Sequence, residues 1–125
     1  MTMTPPSRYK SPFAPGDVVW GPDAFHDDDP RLTLGSVRPW LVVSNEALPG
    51  HGTQYVCCGL THNLAGVESF LAIYSNDWEK GGTTEPSQID TETLFTMKQR
   101  WITQYSGRLR FARLQEARRR IRSYL

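Results

Sequence analysis

The chain has 125 residues, a formal net charge of +1 and two cysteines, Cys57 and Cys58, side by side. One domain of this length buries roughly two-thirds of its unfolded surface, so no disulfide staple is required. Adjacent cysteines on a strand point to opposite faces; they are expected to stay unbonded, buried and reduced, and no second pair accompanies them for a CxxC-type metal site.

Residues 1–14, within MTMTPPSRYKSPFAPG, read as a flexible lead-in with neither an apolar signal core nor an amphipathic pattern. The longest apolar runs, WLVV and FLAIY, are too short to cross a membrane. A cytoplasmic protein is expected, with a single domain over residues 15–125. DVVW, residues 17–20, reads as a first strand, and the Gly-, Pro- and Asp-rich residues 21–35 as a long loop. His26, Asp27, Asp28 and Asp29 in that loop read as a solvated acidic stretch rather than a metal site, because no second ligand cluster accompanies them.

A second strand is expected over residues 37–45. It opens on Arg38-Pro39: proline lacks an N–H and is tolerated where a strand begins, and it biases the preceding residue toward extended geometry. Arg38 is thus aimed in a fixed direction at the mouth of a strand, carrying a charge it cannot shed. A third strand is expected over residues 53–61, a fourth over 67–74, then a loop NDWEKGGTTEP and a short extended SQI. Strands joined by loops without intervening helices indicate a small antiparallel barrel or sandwich.

The C-terminal end changes character. Leu114, Ala117, Ile121, Tyr124 and Leu125 fall at the spacing of one helix face, with Phe111 one turn earlier, so an amphipathic helix is expected to dock on the barrel. Charge is split between the two ends: residues 98–125 hold nine basic residues and one acid, the first 97 residues five basic and twelve acidic. Such asymmetry points to an acidic or nucleic-acid partner, not to a fold.

The strings PGDVVW, VRPWLVVSN, YVCCGLTHN and SQIDTETLFTMKQRWI, followed by SGRL and a terminal helix, occur in the order found in the MazF/PemK toxins of toxin–antitoxin systems. From about Pro15 to Leu125 the chain resembles that family. The resemblance implies a mainly β fold, a small SH3-like antiparallel barrel with a C-terminal α-helix, usually paired as a homodimer. It implies metal-independent, sequence-selective cleavage of single-stranded RNA, no cofactor, and an acidic antitoxin as partner. Carried over position by position, the family's functional residues fall on Arg38, Thr61, Ser87 and Glu92. Where the family carries R-T-hydrophobic-D, this chain has Phe95-Thr96-Met97-Lys98.

The chemistry can be argued beside the resemblance. RNA supplies its own nucleophile, the 2′-OH; a nuclease adds a base, a proton donor for the leaving oxygen and positive charge for the phosphorane. Arg38 suits the charge role, because its planar fork matches phosphate. Thr61 offers a neutral hydrogen bond. Glu92 is the carboxylate candidate for the base, and His62 the rival proton shuttle. Ser87, His62 and Arg31 are the expected RNA contacts. Two other classes compete: a non-catalytic binder of RNA or of a protein target such as DNA gyrase, favoured by Phe95, Lys98 and the acidic loop, and a module that binds nucleic acid through its basic terminal helix.

Overall fold

A computed structural model describes residues 12–23, 36–62, 70–84 and 86–125. Seven strands form one antiparallel sheet: β1 (Asp17–Pro22), β2 (Val37–Val42), β3 (Gln54–Thr61), β4 (Leu71–Ile73), β5 (Trp78–Gly81), β6 (Ser87–Lys98) and β7 (Gln104–Leu109). Their order across the sheet is β4-β6-β3-β2-β1-β7-β5, curled as a half-barrel, and one helix, α1 (Phe111–Ser123), ends the chain. The expected mainly β fold with its terminal helix is the fold observed.

Alternation along the strands divides the core between the two faces of the sheet. Val18, Leu41, Cys58 and Leu60 join Ala117 and Ile121 of α1 in one cluster. Their chain neighbours Val19, Trp40, Val42 and Cys57 join Phe13, Tyr55, Met97 and Ile102 in another. Cys57 and Cys58 are accordingly free, buried and on opposite faces. Burial pushes both thiols well above their ordinary pKa, Cys57 further raised by Cys58 and Cys58 by the charge of Asp90.

Several sequence expectations change. The second strand ends at Val42 rather than residue 45, and the part of the fourth over residues 67–69 lies outside the described residues. NDWEKGGTTEP, expected as loop, instead begins within a short 3-10 turn (Ser75–Asp77) and continues into β5. β5 pairs with β7 where Gly81 and Gly107 face each other, both at positive φ, so closely that a Cβ on either would collide with the opposing backbone. The short SQI is the start of the twelve-residue β6. On α1, Leu114, Ala117 and Ile121 are buried as the spacing predicts, but Tyr124 and Leu125 are exposed beyond the last full turn.

Midway along β6 the pairing with β3 slips: Cys58 faces Leu94, while Gly59 faces Asp90. Asp90 closes the resulting bulge, its two carboxylate oxygens accepting the Glu92 N–H at 3.0 Å and the Thr93 hydroxyl at 2.7 Å. The bulge turns Glu92 outward, exposed.

Candidate functional site

Arg38 is the second residue of β2, paired across the ladder with Gly21 of β1. A Cβ at residue 21 would sit 2.6 Å from the Met97 sulfur, so glycine lets Met97 close the sheet beneath the arginine's strand. The end of β1 is pinned by the Trp40 Nε1–H, which donates to the Pro22 carbonyl at 3.0 Å, and by the Asp23 N–H, which donates to the Ser36 carbonyl at 3.1 Å.

That pinning sets Asp23 against Arg38. Nε donates to Asp23 Oδ1 at 2.9 Å and Nη2 to Oδ2 at 3.3 Å, the side-by-side fork geometry of a strong ion pair. Nη1 donates to the Leu60 carbonyl at 3.3 Å. The Arg38 side chain is 19 % exposed and that of Asp23 11 %, so the pair is held at the rim of the fold. Asp23, from the Gly-, Pro- and Asp-rich stretch after the first strand, is thus the residue that orients the arginine.

Arg38 opens into a cavity of about 270 Å³, whose lining includes Trp20, Leu60, His62, Thr83, Thr84 and Ser87. Of the sequence candidates, Arg38, His62 and Ser87 therefore meet around one space. Ser87 is 5 % exposed and shares a 3.0 Å hydroxyl hydrogen bond with Thr83. Thr61 ends β3 opposite Gln88, adjoining the cavity in sequence through Leu60 and His62 without lining it. Glu92 stands on the β6 bulge and does not line the cavity. Arg31 and the His26–Asp29 stretch lie outside the described residues.

Three contributors escaped sequence reasoning. Thr83 and Thr84 belong to the segment NDWEKGGTTEP, read from the sequence only as a loop; they follow β5 and precede Ser87 of β6, with which Thr83 shares its hydrogen bond. Trp20 supplies an indole Nε1–H that is buried with no hydrogen-bond partner among the described residues. Among the described residues no group of three His, Cys, Asp or Glu side chains is arranged to hold a metal ion. The cavity offers one oriented cation, an imidazole and several hydroxyls, an assortment suited to a phosphodiester.

Several solved structures share this fold. An endoribonuclease from a Mycobacterial species superposes with a TM-score of 0.65 at 17 % identity, over 92 % of each chain. MazF from Deinococcus radiodurans superposes with a TM-score of 0.66 at 20 % identity, over 93 % of this chain and 97 % of that one. A Mycobacterial endoribonuclease in complex with its cognate antitoxin gives 0.64 at 17 % identity, over 89 % and 92 %. Identities this low establish the fold alone. Among curated proteins none matches this chain in sequence. The family model of the PemK-like, MazF-like toxins matches residues 14–125, nearly the whole chain. The chain belongs to the PemK-like, MazF-like toxin family of type II toxin–antitoxin systems.

Proposed function

We propose that the protein is an endoribonuclease toxin that cleaves single-stranded RNA by attack of the substrate's own 2′-OH on the adjacent phosphate. The observation that carries this reading is the oriented Arg38 guanidinium facing a cavity shared with His62 and Ser87. Arg38 supplies charge to the phosphorane through Nη1 and the outer edge of its fork. His62, on the same cavity, is better situated than Glu92 to move a proton. Thr61 and Ser87 contribute neutral hydrogen bonds, and Arg31 is kept as a candidate RNA contact. The test is incubation with a long single-stranded RNA, with and without chelator. Cleavage that persists in chelator and is lost in Arg38→Ala supports the reading; an RNA left intact by the wild type overturns it.

One observation favours the non-catalytic binder: the Nε and Nη2 donors of Arg38 are already taken up by Asp23. That reading expects RNA or protein-target binding without cleavage.

Two partners belong to the proposal. Solved neighbours have been crystallised with a cognate antitoxin, and by analogy an acidic antitoxin should neutralise this toxin. A homodimer burying on the order of 800 Å² per partner is the second. Val37 and Leu94, 47 % and 45 % exposed, are apolar side chains that such an interface could cover.

A further inference from the structure

A second cavity, about 410 Å³, adjoins the first, and Thr83, Thr84 and Ser87 line both. Its far side is aromatic: Tyr74, 61 % exposed, and Trp78, which packs against the core cluster beneath α1. Gly82 lies over the Trp78 indole, where a Cβ would stand 3.8 Å from the ring.

The two aromatic residues bracket the 3-10 turn Ser75–Asp77, and that turn is braced from both sides. Tyr74 N–H donates to Asp77 Oδ2 at 2.7 Å, and Asp77 N–H returns to the Tyr74 carbonyl at 2.9 Å. From the start of α1, Arg110 N–H donates to the Asp77 carbonyl at 2.7 Å, its Nε to the Asn76 carbonyl at 2.9 Å, and Arg113 Nη2 stands 3.3 Å from Asp77 Oδ2. The backbone that carries both rings is thus ordered before any ligand arrives.

We propose that this second cavity is a nucleobase subsite, in which Tyr74 and Trp78 stack or edge against the base of a nucleotide neighbouring the phosphate at Arg38. The proposal rests on the RNA-cleavage reading above and assigns it a specificity element. The described residues lining this cavity include no lysine, arginine or acid, which suits an uncharged planar base rather than a phosphate or an acidic peptide. Hydroxyls on the shared wall offer hydrogen bonds to base edges, and stacking on aromatic faces tolerates single strands while excluding a paired duplex. The shared wall makes the two cavities one continuous path for a single strand.

The test measures binding of a short, fluorescent single-stranded RNA carrying 2′-O-methyl riboses so that it is not cut, beside a set in which each position in turn is abasic. Tyr74→Ala is expected to weaken binding about tenfold, within the range for losing one stacking platform. Tyr74→Phe should keep wild-type affinity, and Tyr74→Leu should behave as Tyr74→Ala, because bulk without a π face does not stack. With the RNA abasic at one position, Tyr74→Ala should cost nothing further. Wild-type affinity in Tyr74→Ala, with binding lost in Arg38→Ala, overturns the subsite and leaves the cleavage reading standing. Equal further loss on every abasic RNA also overturns it, as would a variant whose melt shows unfolding in both Tyr74→Ala and Tyr74→Phe. A wild type that binds none of these RNAs overturns the cleavage reading, and the subsite with it.

Discussion

Arg38 and Asp23 are locked together through two parallel hydrogen bonds, 2.9 Å from Nε and 3.3 Å from Nη2, so the guanidinium presents one edge to a carboxylate while Nη1 donates to the carbonyl of Leu60, which lines the cavity with it. The carboxylate has a double effect. It fixes the arginine's direction, which a preorganised charge-stabilising group requires, and it withdraws two donors from any phosphate that enters.

Arg38→Ala should lower the cleavage rate by about 10²–10³, the usual loss for one preorganised donor. Arg38→Lys should recover little, because an ammonium reproduces neither the fork on Asp23 nor a bidentate phosphate contact. Asp23→Asn should reduce the rate by less than Arg38→Ala and leave RNA binding intact or tighter, since a like-signed neighbour of the phosphate is gone. Single-turnover cleavage rates and binding constants measured on all three variants decide this. A faster Asp23→Asn enzyme would make the carboxylate a brake rather than a positioning residue.

The strands around Arg38 were legible because their signals are local: a proline opens β2, and β-branched and apolar residues mark β1 and β3. The helix was legible from Leu114, Ala117 and Ile121. β5 was not, since WEKG has no alternation and its strand exists through its pairing with β7, Trp78 with Leu109, Lys80 with Arg108 and Gly81 with Gly107. Thr83 and Thr84 follow directly on that strand, so this part of the cavity wall has no local signature. The bulge that turns Glu92 outward was hidden for a similar reason, being fixed by Asp90 against a register set by β3.

Asp17 lies wholly buried and accepts from Arg108 Nε at 2.7 Å, from the Tyr105 hydroxyl at 3.3 Å and from the Ala14 N–H at 2.7 Å. Arg108→Ala should destabilise the fold by about 3–5 kcal/mol, because it strands a buried carboxylate. Burial, and then the charge of Asp17, pushes the Tyr105 phenol up to about 12. Its folded pKa lies above the unfolded value of about 10, so the native state holds that proton more tightly. The associated stability is complete below pH ~10 and is lost as the pH rises through about 12. Phenolate absorbance should show a late-titrating component that shrinks by one tyrosine in Tyr105→Phe.

The arginines of α1 divide into two sets. Arg113 pairs with Asp77 and Glu116, and Arg118 donates to the Val43 carbonyl at 2.9 Å, tying the helix to the sheet. Arg119 and Arg122 are exposed. Arg118→Glu should lower the melting temperature, because it breaks that tie and faces a carbonyl with a carboxylate. Arg119→Glu with Arg122→Glu should leave the melt unchanged while slowing association with an acidic antitoxin and flattening its salt dependence. Stopped-flow association at several ionic strengths separates the two sets, and unchanged kinetics in the double variant would assign Arg119 and Arg122 to solubility alone.

The proton chemistry separates His62 from Glu92. His62 shares the cavity with Arg38, whereas Glu92 is exposed on the β6 bulge, its N–H held by Asp90. If His62 moves the proton, His62→Gln should lower the rate by about 10²–10⁴, the range for one general acid–base group, and change the shape of the pH–rate profile. Glu92→Gln should then leave the rate within a few-fold of wild type. Thr61→Val should cost about 0.5–1.5 kcal/mol, one neutral hydrogen bond, and change the rate without moving the profile. Products should carry a 2′,3′-cyclic phosphate and a 5′-hydroxyl, because the attacking oxygen is the substrate's own. A 5′-phosphate on the product would require water as the nucleophile and would overturn this chemistry outright. A full-rate His62→Gln beside an inactive Glu92→Gln would return the proton to the bulge, and would require the RNA to pass over β6 rather than through the Arg38 cavity alone.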